Sequence, residues 1–309
     1  MRILVTYRIP VESFSALDNE HEYTLPGHEY FTNKELLDLI GDHDALLPIF
    51  TRALDRQLVE AGKRLKIISN FGVGYDNIDT VHARSLGITV CNTPRSVCFP
   101  TAEMTMGLML SVARRVSECD RRLRVEKESM WGTMKNLGAT LEGRVLGVIG
   151  MGNIGQTVAR MATAFNMKVI YHNRRRIVDG FERVDLETLL RRSDVVSIHA
   201  PLTAETRHLI GERELSMMKP TAFLVNTARG AIVQEEALAA CLARKGIAGA
   251  GLDVFEDEPR VAGTLYGLDN VVLSPHNATG TIDTRIATGR EAVDNILNFF
   301  AGRPTNVVN

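Results

Sequence analysis

The feature of this sequence that most constrains its fold is an apolar run that ends in closely spaced glycines. Residues 145–155 read VLGVIGMGNIG and lead into helical periodicity, which predicts a strand, a tight turn and a helix. In such a unit the first glycine permits the turn, the second lets backbone approach a pyrophosphate, and the third lets the helix pack on the strand. A further apolar run at 167–171 closes the unit. We therefore predict a dinucleotide at the start of this helix, contacted by Gly150, Gly152, Asn153, Ile154 and Gly155.

The rest of the chain alternates short apolar runs with helical segments, the pattern of parallel α/β sheets. The predicted strands are 3–6, 45–49, 65–69, 88–91, 145–149, 168–171, 194–199, 222–226, 248–253 and 270–274. At about 150 residues per domain, 309 residues suggest two domains. The last helix follows the completed second sheet and is therefore assigned to the first domain. The predicted fold is α/β with two doubly wound parallel-sheet domains: a smaller, flavodoxin-like substrate domain of 1–97 and 283–309, and a dinucleotide-binding Rossmann domain of 98–282.

Composition and charge argue against several classes of function. Basic and acidic residues are interspersed and the formal net charge is −1, so we expect no surface that binds nucleic acid or an anionic membrane. No run reaches the roughly 20 apolar residues of a membrane span, and the N-terminus enters a predicted strand at once instead of a signal peptide. The four cysteines lack CxxC spacing, which argues against a metal site and a disulfide framework. A cytoplasmic protein without a bound metal is the expectation.

One segment of the predicted second domain has no assigned place in the sheet. Residues 118–137 are polar and charged, and they contain the single tryptophan of the chain, Trp131. Such a segment is either a surface arm or a contact between subunits, and the residues alone leave both interpretations open.

Three charged or titratable side chains follow three different strands of the predicted second sheet. Arg229 follows the strand at 222–226, Glu258 the strand at 248–253, and His276 the strand at 270–274. Ligands of open α/β sheets bind outside the carboxyl ends of the strands, so these side chains are expected to converge. Each of them singly also fits an ordinary exposed position, but their common placement favours a catalytic site.

These residue types suit the reduction of a ketone by hydride transfer. The reaction produces an alkoxide, and a protonated imidazole at His276 can supply the proton. A carboxylate at Glu258 favours the charged form of that imidazole and fixes its orientation. A guanidinium at Arg229 can hold a substrate carboxylate through two parallel hydrogen bonds and polarise the neighbouring carbonyl.

Four ordered motifs and one loop give the chain a resemblance to a known family. The motifs are GMGNIG (150–155), NTARG (226–230), GLDVFEDEP (251–259) and SPH (274–276), and the loop at 72–79 reads GVGYDNID. They resemble the signature blocks and the substrate-carboxylate loop of the D-isomer-specific 2-hydroxyacid dehydrogenases. The resemblance implies an active site in the cleft between two domains, a homodimer formed through the cofactor domains, and Arg229, Glu258 and His276 as catalytic residues. Asn277 departs from the pattern, because the family usually has a small or apolar residue there.

The resemblance also extends the list of expected site residues. Besides the glycine loop, the predicted cofactor contacts are Thr101, Asn173, Arg174, Arg175, Thr227, Ala228, Arg229, Asp253 and His276. The predicted substrate contacts are Ile49, Phe50, Val73, Gly74, Arg229 and His276. The substrate implied is a small-molecule 2-oxoacid such as glyoxylate or hydroxypyruvate, interconverted with its D-2-hydroxyacid.

The end of the second Rossmann strand bears on the choice of cofactor. An NAD-dependent enzyme carries an acidic residue there to bind the ribose hydroxyls, whereas this chain has Asn173, Arg174 and Arg175. These residues can bind and neutralise a 2′-phosphate, so NADP(H) is the predicted cofactor, with NAD(H) as the second option. The alternative is a solvated run of charge with no role in binding. Within the family, this pattern is similar to the glyoxylate/hydroxypyruvate reductases.

Two other functions are compatible with the same fold. A dinucleotide-sensing corepressor usually carries extensions beyond the dehydrogenase core, and this sequence ends at Asn309. 3-Phosphoglycerate dehydrogenase would place basic residues after the strand at 45–49, where only Arg52 is available. The prediction is therefore an oxidoreductase, an NAD(P)-dependent D-2-hydroxyacid dehydrogenase of the glyoxylate/hydroxypyruvate reductase type.

Overall fold

The computed structural model describes residues 1–18, 20–49, 53–126 and 131–309, and its backbone separates into two compact units. Unit 1 comprises Met1–Cys98 and Thr279–Asn309, and unit 2 comprises Phe99–Ala278. Each unit contains one parallel sheet, so the predicted α/β class with two parallel sheets is confirmed. Within the described ranges, no helix is both long enough and apolar enough to cross a membrane.

Unit 1 is built on a five-stranded parallel sheet of order β2-β1-β3-β4-β5, the flavodoxin-like arrangement. The last helix, α10, packs against the 3₁₀ helix η1 and against β4, which makes unit 1 discontinuous in sequence. The elements are β1 (Arg2–Val5), η1 (Val11–Phe14), β2 (Glu22–Thr24), α1 (Asn33–Ile40), β3 (Ala45–Leu47), α2 (Arg56–Ala61), β4 (Ile67–Ser69), α3 (Thr80–Ser85), β5 (Thr89–Cys91) and α10 (Ile282–Phe300).

Unit 2 is built on a seven-stranded parallel sheet of order β12-β11-β10-β9-β6-β7-β8. The strand order reverses between β6 and β9, which is where nucleotides bind in doubly wound folds. The elements are α4 (Cys98–Ala113, beginning at the unit boundary), α5 (Val116–Glu126), β6 (Val145–Ile149), α6 (Asn153–Ala164), β7 (Lys168–His172), β8 (Glu182–Arg183), α7 (Leu186–Arg192), β9 (Val195–Ile198), α8 (Glu212–Met217), β10 (Phe223–Asn226), η2 (Gly230–Ile232), α9 (Glu235–Ala243), β11 (Gly249–Leu252), η3 (Gly263–Gly267) and β12 (Val271–Leu273).

The apolar strand runs are explained by burial on both faces of each sheet. In β3, Ala45, Leu46 and Leu47 are all fully buried. Successive residues of a strand point to opposite faces, and Leu46 packs in one core cluster while Ala45 and Leu47 pack in another. Helices cover both faces of a parallel sheet, so its strands read as continuous rather than alternating apolar runs.

Two edge strands and two helical segments differ from the sequence predictions. β2 and β8 were missed because they are short, exposed edge strands without an apolar run. The sequence predicts a helix that opens at Thr101, but α4 begins at Cys98, since Pro100 is tolerated in the first helical turn. The first part of the polar segment at 118–137 lies in α5, most of whose described charged residues are exposed to solvent.

Candidate active site

The glycine-rich turn joins β6 directly to α6. Gly150 has a φ of +95°, a conformation that L side chains rarely adopt, and a Cβ there would lie 2.6 Å from the backbone nitrogen of Ala200. A Cβ on Gly155 would lie 2.3 Å from the carbonyl oxygen of Gly150. Glycine is therefore required at both positions, because the chain turns from the strand end into the helix without an intervening loop.

The first turn of α6 presents backbone N–H groups that an anion could bind. Among the described residues, the N–H groups of Gly152, Asn153 and Ile154 donate to no acceptor. Nothing lies within 4 Å of the point where a Cβ on Gly152 would stand. The start of a 12-residue helix favours negative charge, so the loop fits the phosphates of a dinucleotide.

Asn173, directly after β7, is engaged within the protein. Its Oδ1 accepts the N–H of Met151 at 2.8 Å, and its Nδ2 donates to the carbonyl oxygen of Arg176 at 3.0 Å. Asn173 therefore braces the glycine loop, a role that the sequence reasoning did not identify. Its contact with the cofactor stays a prediction.

The basic residues after β7 are exposed and lie beside two partners from other segments. Arg174 forms an ion pair with Glu205, with 3.5 Å between Nη1 and Oε2. Arg183 donates to the carbonyl oxygens of Asn173 at 2.8 Å and of Arg174 at 3.0 Å, which fixes the backbone of this turn. Arg175 is also exposed. Two guanidinium groups are thus presented to solvent at the carboxyl end of β7.

Glu258 and His276 form a close pair. The Nδ1 of His276 lies 2.7 Å from Oε2 of Glu258, and Oε1 of Glu258 accepts the N–H of Phe255 at 3.0 Å. Burial alone would raise the pKa of the Glu258 carboxyl, but His276, the Phe255 N–H and the charge of Arg229 outweigh it and hold that pKa below its usual value. The carboxyl is therefore ionised at neutral pH, and the other two predicted catalytic side chains, His276 and Arg229, both act on it electrostatically.

Asp253 fixes the backbone that carries His276. It is fully buried after β11, and its two carboxylate oxygens accept the N–H groups of Asn277 at 2.8 Å and Ala278 at 2.9 Å. The N–H of His276 donates to the Asp253 carbonyl at 2.7 Å. Burial raises the pKa of the Asp253 carboxyl, opposed by these N–H groups and by the Ser274 hydroxyl. Asn277, the departure from the family pattern, is held here through its backbone.

Arg229 lies in a turn after β10 that a buried asparagine shapes. Asn226 accepts the N–H of Ala228 and donates to the carbonyl oxygen of Arg229, both at 3.0 Å. Arg229 Nη1 also donates to the Ala228 carbonyl at 2.8 Å. The Thr227 hydroxyl lies 2.8 Å from that of Thr105 on α4, so this turn is tied to the helix.

Two further positions determine the space around this turn. Thr101 is buried on α4, and its carbonyl accepts the Thr105 hydroxyl at 2.8 Å. Gly230 lies against the segment that leads to Glu258, because a Cβ there would be 1.8 Å from the carbonyl carbon of Phe255. The segment carrying Arg229 and the segment carrying Glu258 therefore touch backbone to backbone.

In unit 1, the loop after β4 has its carbonyl groups engaged by two asparagines. Asn70 donates to the Gly74 carbonyl at 2.7 Å, and Asn92 donates to the Val73 carbonyl at 2.8 Å. Within the described part of the chain, the N–H groups of Val73 and Gly74 donate to no acceptor. This loop can therefore offer two backbone donors to a carboxylate.

The predicted substrate contacts after β3 are only partly described. Ile49 is half-buried, and its N–H donates to the Thr6 hydroxyl at 3.3 Å. Phe50, the second predicted apolar contact, and Arg52, the cation that bears on a phosphorylated substrate, lie outside the described residues.

Comparison with known proteins decides the family. The model of the "D-isomer specific 2-hydroxyacid dehydrogenase, NAD binding domain" matches residues 106–278. The chain belongs to this family. The dehydrogenase is similar over its whole length to a glyoxylate reductase of Thermococcus litoralis, with 41% identity over 100% of this chain and 96% of the relative.

Solved structures agree with this family. A protein of Thermus thermophilus is 39% identical with a TM-score of 0.94, and each chain is covered completely. An NADPH-dependent glyoxylate/hydroxypyruvate reductase of Sinorhizobium meliloti, in complex with NADP and malonate, is 32% identical with a TM-score of 0.87, over 99% of this chain and 96% of that one. The predicted enzyme class is therefore confirmed: the dehydrogenase is an NAD(P)-dependent oxidoreductase that transfers hydride between a nicotinamide cofactor and a 2-oxoacid.

Several residues that organise the site of this dehydrogenase were not found from the sequence. They are Asn226, Glu205, Arg183 and the loop asparagines Asn70 and Asn92. Asparagine after a strand is an ordinary turn signal, so Asn226 could have been proposed as a brace of the Arg229 turn. Asn70 acts on Gly74, four residues further along the same loop, so the same signal could have found it. Arg183, Glu205 and Asn92 act on residues that only the tertiary structure brings near them.

Proposed function

We propose that this dehydrogenase reduces a small, unbranched 2-oxoacid of the glyoxylate or hydroxypyruvate type, with NADPH as the preferred reductant. The observation that carries the proposal is the 2.7 Å contact between His276 and Glu258, with the charge of Arg229 acting on the same carboxylate. The names of the relatives, glyoxylate reductase and NADPH-dependent glyoxylate/hydroxypyruvate reductase, support the substrate and the cofactor.

The proposed mechanism assigns one role to each catalytic side chain. A bound reduced nicotinamide supplies the hydride. Arg229 binds the substrate carboxylate and polarises the adjacent carbonyl. His276 donates a proton to the oxygen that becomes the alcohol, and because Nδ1 is held by Glu258, the proton leaves from Nε2. Glu258, ionised at neutral pH, stabilises the imidazolium before the transfer.

We assign substrate binding to unit 1 and cofactor binding to unit 2. The N–H groups of Val73 and Gly74 are proposed as further donors to the substrate carboxylate, and Ile49 as an apolar contact. In unit 2, the first turn of α6 is the proposed contact of the pyrophosphate. The proposed contacts of the nicotinamide half are Thr101, residues 227–229, Asp253 and His276. The substrate that these groups suit carries one carboxylate and little else to recognise.

Substrate charge provides the test of this function. We expect kcat/KM for hydroxypyruvate to exceed that for 3-phosphohydroxypyruvate by at least about tenfold, which requires only about 1.4 kcal/mol of discrimination. Burying the phosphate of this substrate without a paired cation would be strongly unfavourable. Ile49, a predicted substrate contact, is apolar and offers no such cation. Steady-state kinetics with glyoxylate, hydroxypyruvate, pyruvate and 3-phosphohydroxypyruvate measure this.

Two results would contradict the substrate assignment. Equal or better use of the phosphorylated substrate would favour 3-phosphoglycerate dehydrogenase, with Arg52 as the first residue to replace. Absence of turnover with every 2-oxoacid, together with tight dinucleotide binding, would favour the corepressor-like alternative.

The preference for NADPH is proposed from the exposed arginines after β7. Arg174 and Arg175 offer charged donors to a 2′-phosphate, and no acidic residue ends the strand. Arg174 forms an ion pair with Glu205 at 3.5 Å. Both partners of that pair are exposed, and such pairs contribute about 0–1 kcal/mol, so a 2′-phosphate can displace Glu205.

We expect the double variant Arg174→Gln/Arg175→Gln to raise KM for NADPH about tenfold or more, with little change in KM for NADH. A charge-assisted hydrogen bond to phosphate contributes about 1.5–3 kcal/mol, which corresponds to this factor. Arg191→Gln is the matched control, because Arg191 is an exposed arginine of the same unit paired with Glu187. Similar changes for both cofactors would show that these arginines do not recognise the 2′-phosphate.

We further propose that the dehydrogenase is a homodimer formed through unit 2. Val125, Trp131, Met134 and Leu137 are exposed by 75%, 81%, 80% and 57%, so four large apolar side chains within one short part of the chain face solvent. Sedimentation velocity is expected to give about twice the chain mass of 34.2 kDa, and Trp131→Asp to shift the population toward monomer. A monomeric wild-type protein at micromolar concentration would refute this.

The buried thiols Cys91 and Cys241 accord with a reducing, cytoplasmic location.

A further inference from the structure

The loop that carries Glu258 is held at two points by one carboxylate. This loop runs from the end of β11 to η3. Glu235 accepts the N–H of Glu256 at Oε2, at 2.7 Å, and the N–H of Ala262 at Oε1, at 2.6 Å. The two donors lie on either side of Glu258 in the sequence, so a single side chain spans the segment that presents the catalytic carboxylate.

Glu235 is itself rigidly placed. It is the first residue of α9, whose inner face is anchored in the core by Leu238, Ala239 and Leu242. The N–H of Glu235 donates back to Oε2 of Glu256 at 3.1 Å, and the other oxygen of Glu256 bonds to His208. The loop is thus joined to a helix that is anchored in the core, by reciprocal bonds in which a carboxylate is the acceptor, and such bonds are stronger than neutral ones.

The orientation of His276 depends on where this loop stands. Within the loop, the N–H of Phe255 donates to Oε1 of Glu258 at 3.0 Å, and the remaining oxygen of Glu258 contacts His276 at 2.7 Å. A shift of the loop backbone would therefore be transmitted to the imidazole. Misplacement of a catalytic group by about 1 Å can reduce the rate about 10²-fold.

We propose that Glu235 is a positioning residue for the reaction, which acts by fixing the loop at Glu256 and Ala262 so that Glu258 meets His276. Among the described residues, no hydrogen bond joins Glu235 to a predicted substrate or cofactor group, so we expect its effect to be transmitted through Glu258. This inference rests on the proposed catalytic roles of Glu258 and His276.

The test compares Glu235→Gln with Glu236→Gln, since Glu236 is the next residue of α9 and is exposed. We expect Glu235→Gln to lower kcat for 2-oxoacid reduction about ten- to a hundredfold, because its amide group cannot accept both N–H groups and the loop shifts. KM for the reduced cofactor should stay within about twofold of wild type, since the first turn of α6, which is proposed to bind the pyrophosphate, is not altered. Glu236→Gln should match wild type in both constants.

A second variant distinguishes positioning from a general effect on folding. If Glu235 acts only through Glu258, the double variant Glu235→Gln/Glu258→Gln should have the same kcat as Glu258→Gln alone. Multiplicative losses in the double variant, or an unchanged kcat in Glu235→Gln, would overturn the inference. If Glu235→Gln fails to fold, Glu235→Asp replaces it in the same comparison, because aspartate keeps the charge but is too short to contact both N–H groups.

The two failures are distinguishable. If Glu258→Gln and His276→Ala keep normal turnover, the proposed catalytic roles are wrong and the inference is overturned with them. If those variants lose activity while Glu235→Gln does not, only the positioning role is wrong.

Discussion

Replacement of His276 by alanine is expected to lower kcat for 2-oxoacid reduction by about 10²- to 10⁴-fold, the range typical of the loss of a general acid. The Nδ1 of the imidazole lies 2.7 Å from Oε2 of Glu258. The backbone N–H of His276 donates to the backbone carbonyl oxygen of Asp253. Without the imidazole, the developing alkoxide has no positioned proton donor. Steady-state kinetics at saturating substrate and cofactor measure the loss.

The control for this variant must show that only proton transfer is affected. Binding of NADPH, followed by fluorescence titration, should stay near wild type, because the first turn of α6, which is proposed to bind the phosphates, is untouched. His28→Ala, at an exposed histidine of unit 1, should keep wild-type kcat. Near-normal turnover of His276→Ala would place the general acid elsewhere and refute the proposed mechanism.

The second large effect is expected from Gly230→Ala, although glycine has no side chain to take part in chemistry. An added Cβ would lie 1.8 Å from the carbonyl carbon and 2.0 Å from the carbonyl oxygen of Phe255, and neither backbone atom can move alone. The segment of Arg229 and the segment of Glu258 must separate. We expect kcat/KM to fall about 10²-fold, the effect of misplacing catalytic groups by about 1 Å.

The same substitution should also destabilise the fold. Overpacking of a close contact costs typically about 1–3 kcal/mol, which thermal or urea unfolding can measure. Gly263→Ala is the matched control, since a Cβ on Gly263 meets nothing within 4 Å, and it should leave both activity and stability unchanged. Full activity in Gly230→Ala would show that the spacing of these two segments does not matter for the reaction.

These two predictions differ in origin. The role proposed for His276 follows from its place after the last strand of a nucleotide-binding sheet, which the order of residues already reveals. The role of Gly230 does not follow from the order of residues, because nothing in the local sequence indicates that residue 230 lies against residue 255. That contact depends on the parallel pairing of β10 with β11, which brings the two segments to the same edge.

The sequence by itself determined what depends on local order. The apolar runs specify the strands, because a strand buried on both faces must be continuously apolar, and the glycine loop specifies a strand-to-helix turn in which a side chain would meet backbone. The parallel order of strands then requires their carboxyl ends to share one edge, so Arg229, Glu258 and His276 could be placed together.

Only the tertiary structure decided which side chains hold those groups in place. Glu235 reaches Ala262, Asn173 reaches the N–H of Met151, and Glu205 reaches Arg174. The exposed edge strands β2 and β8 could likewise be identified only from their pairing with β1 and β7. Such hydrogen bonds and strand pairings join segments that are far apart in the chain, so the local sequence does not predict them. A polar side chain in a loop can bond to water equally well, and only the fold brings a protein partner within about 3 Å of it.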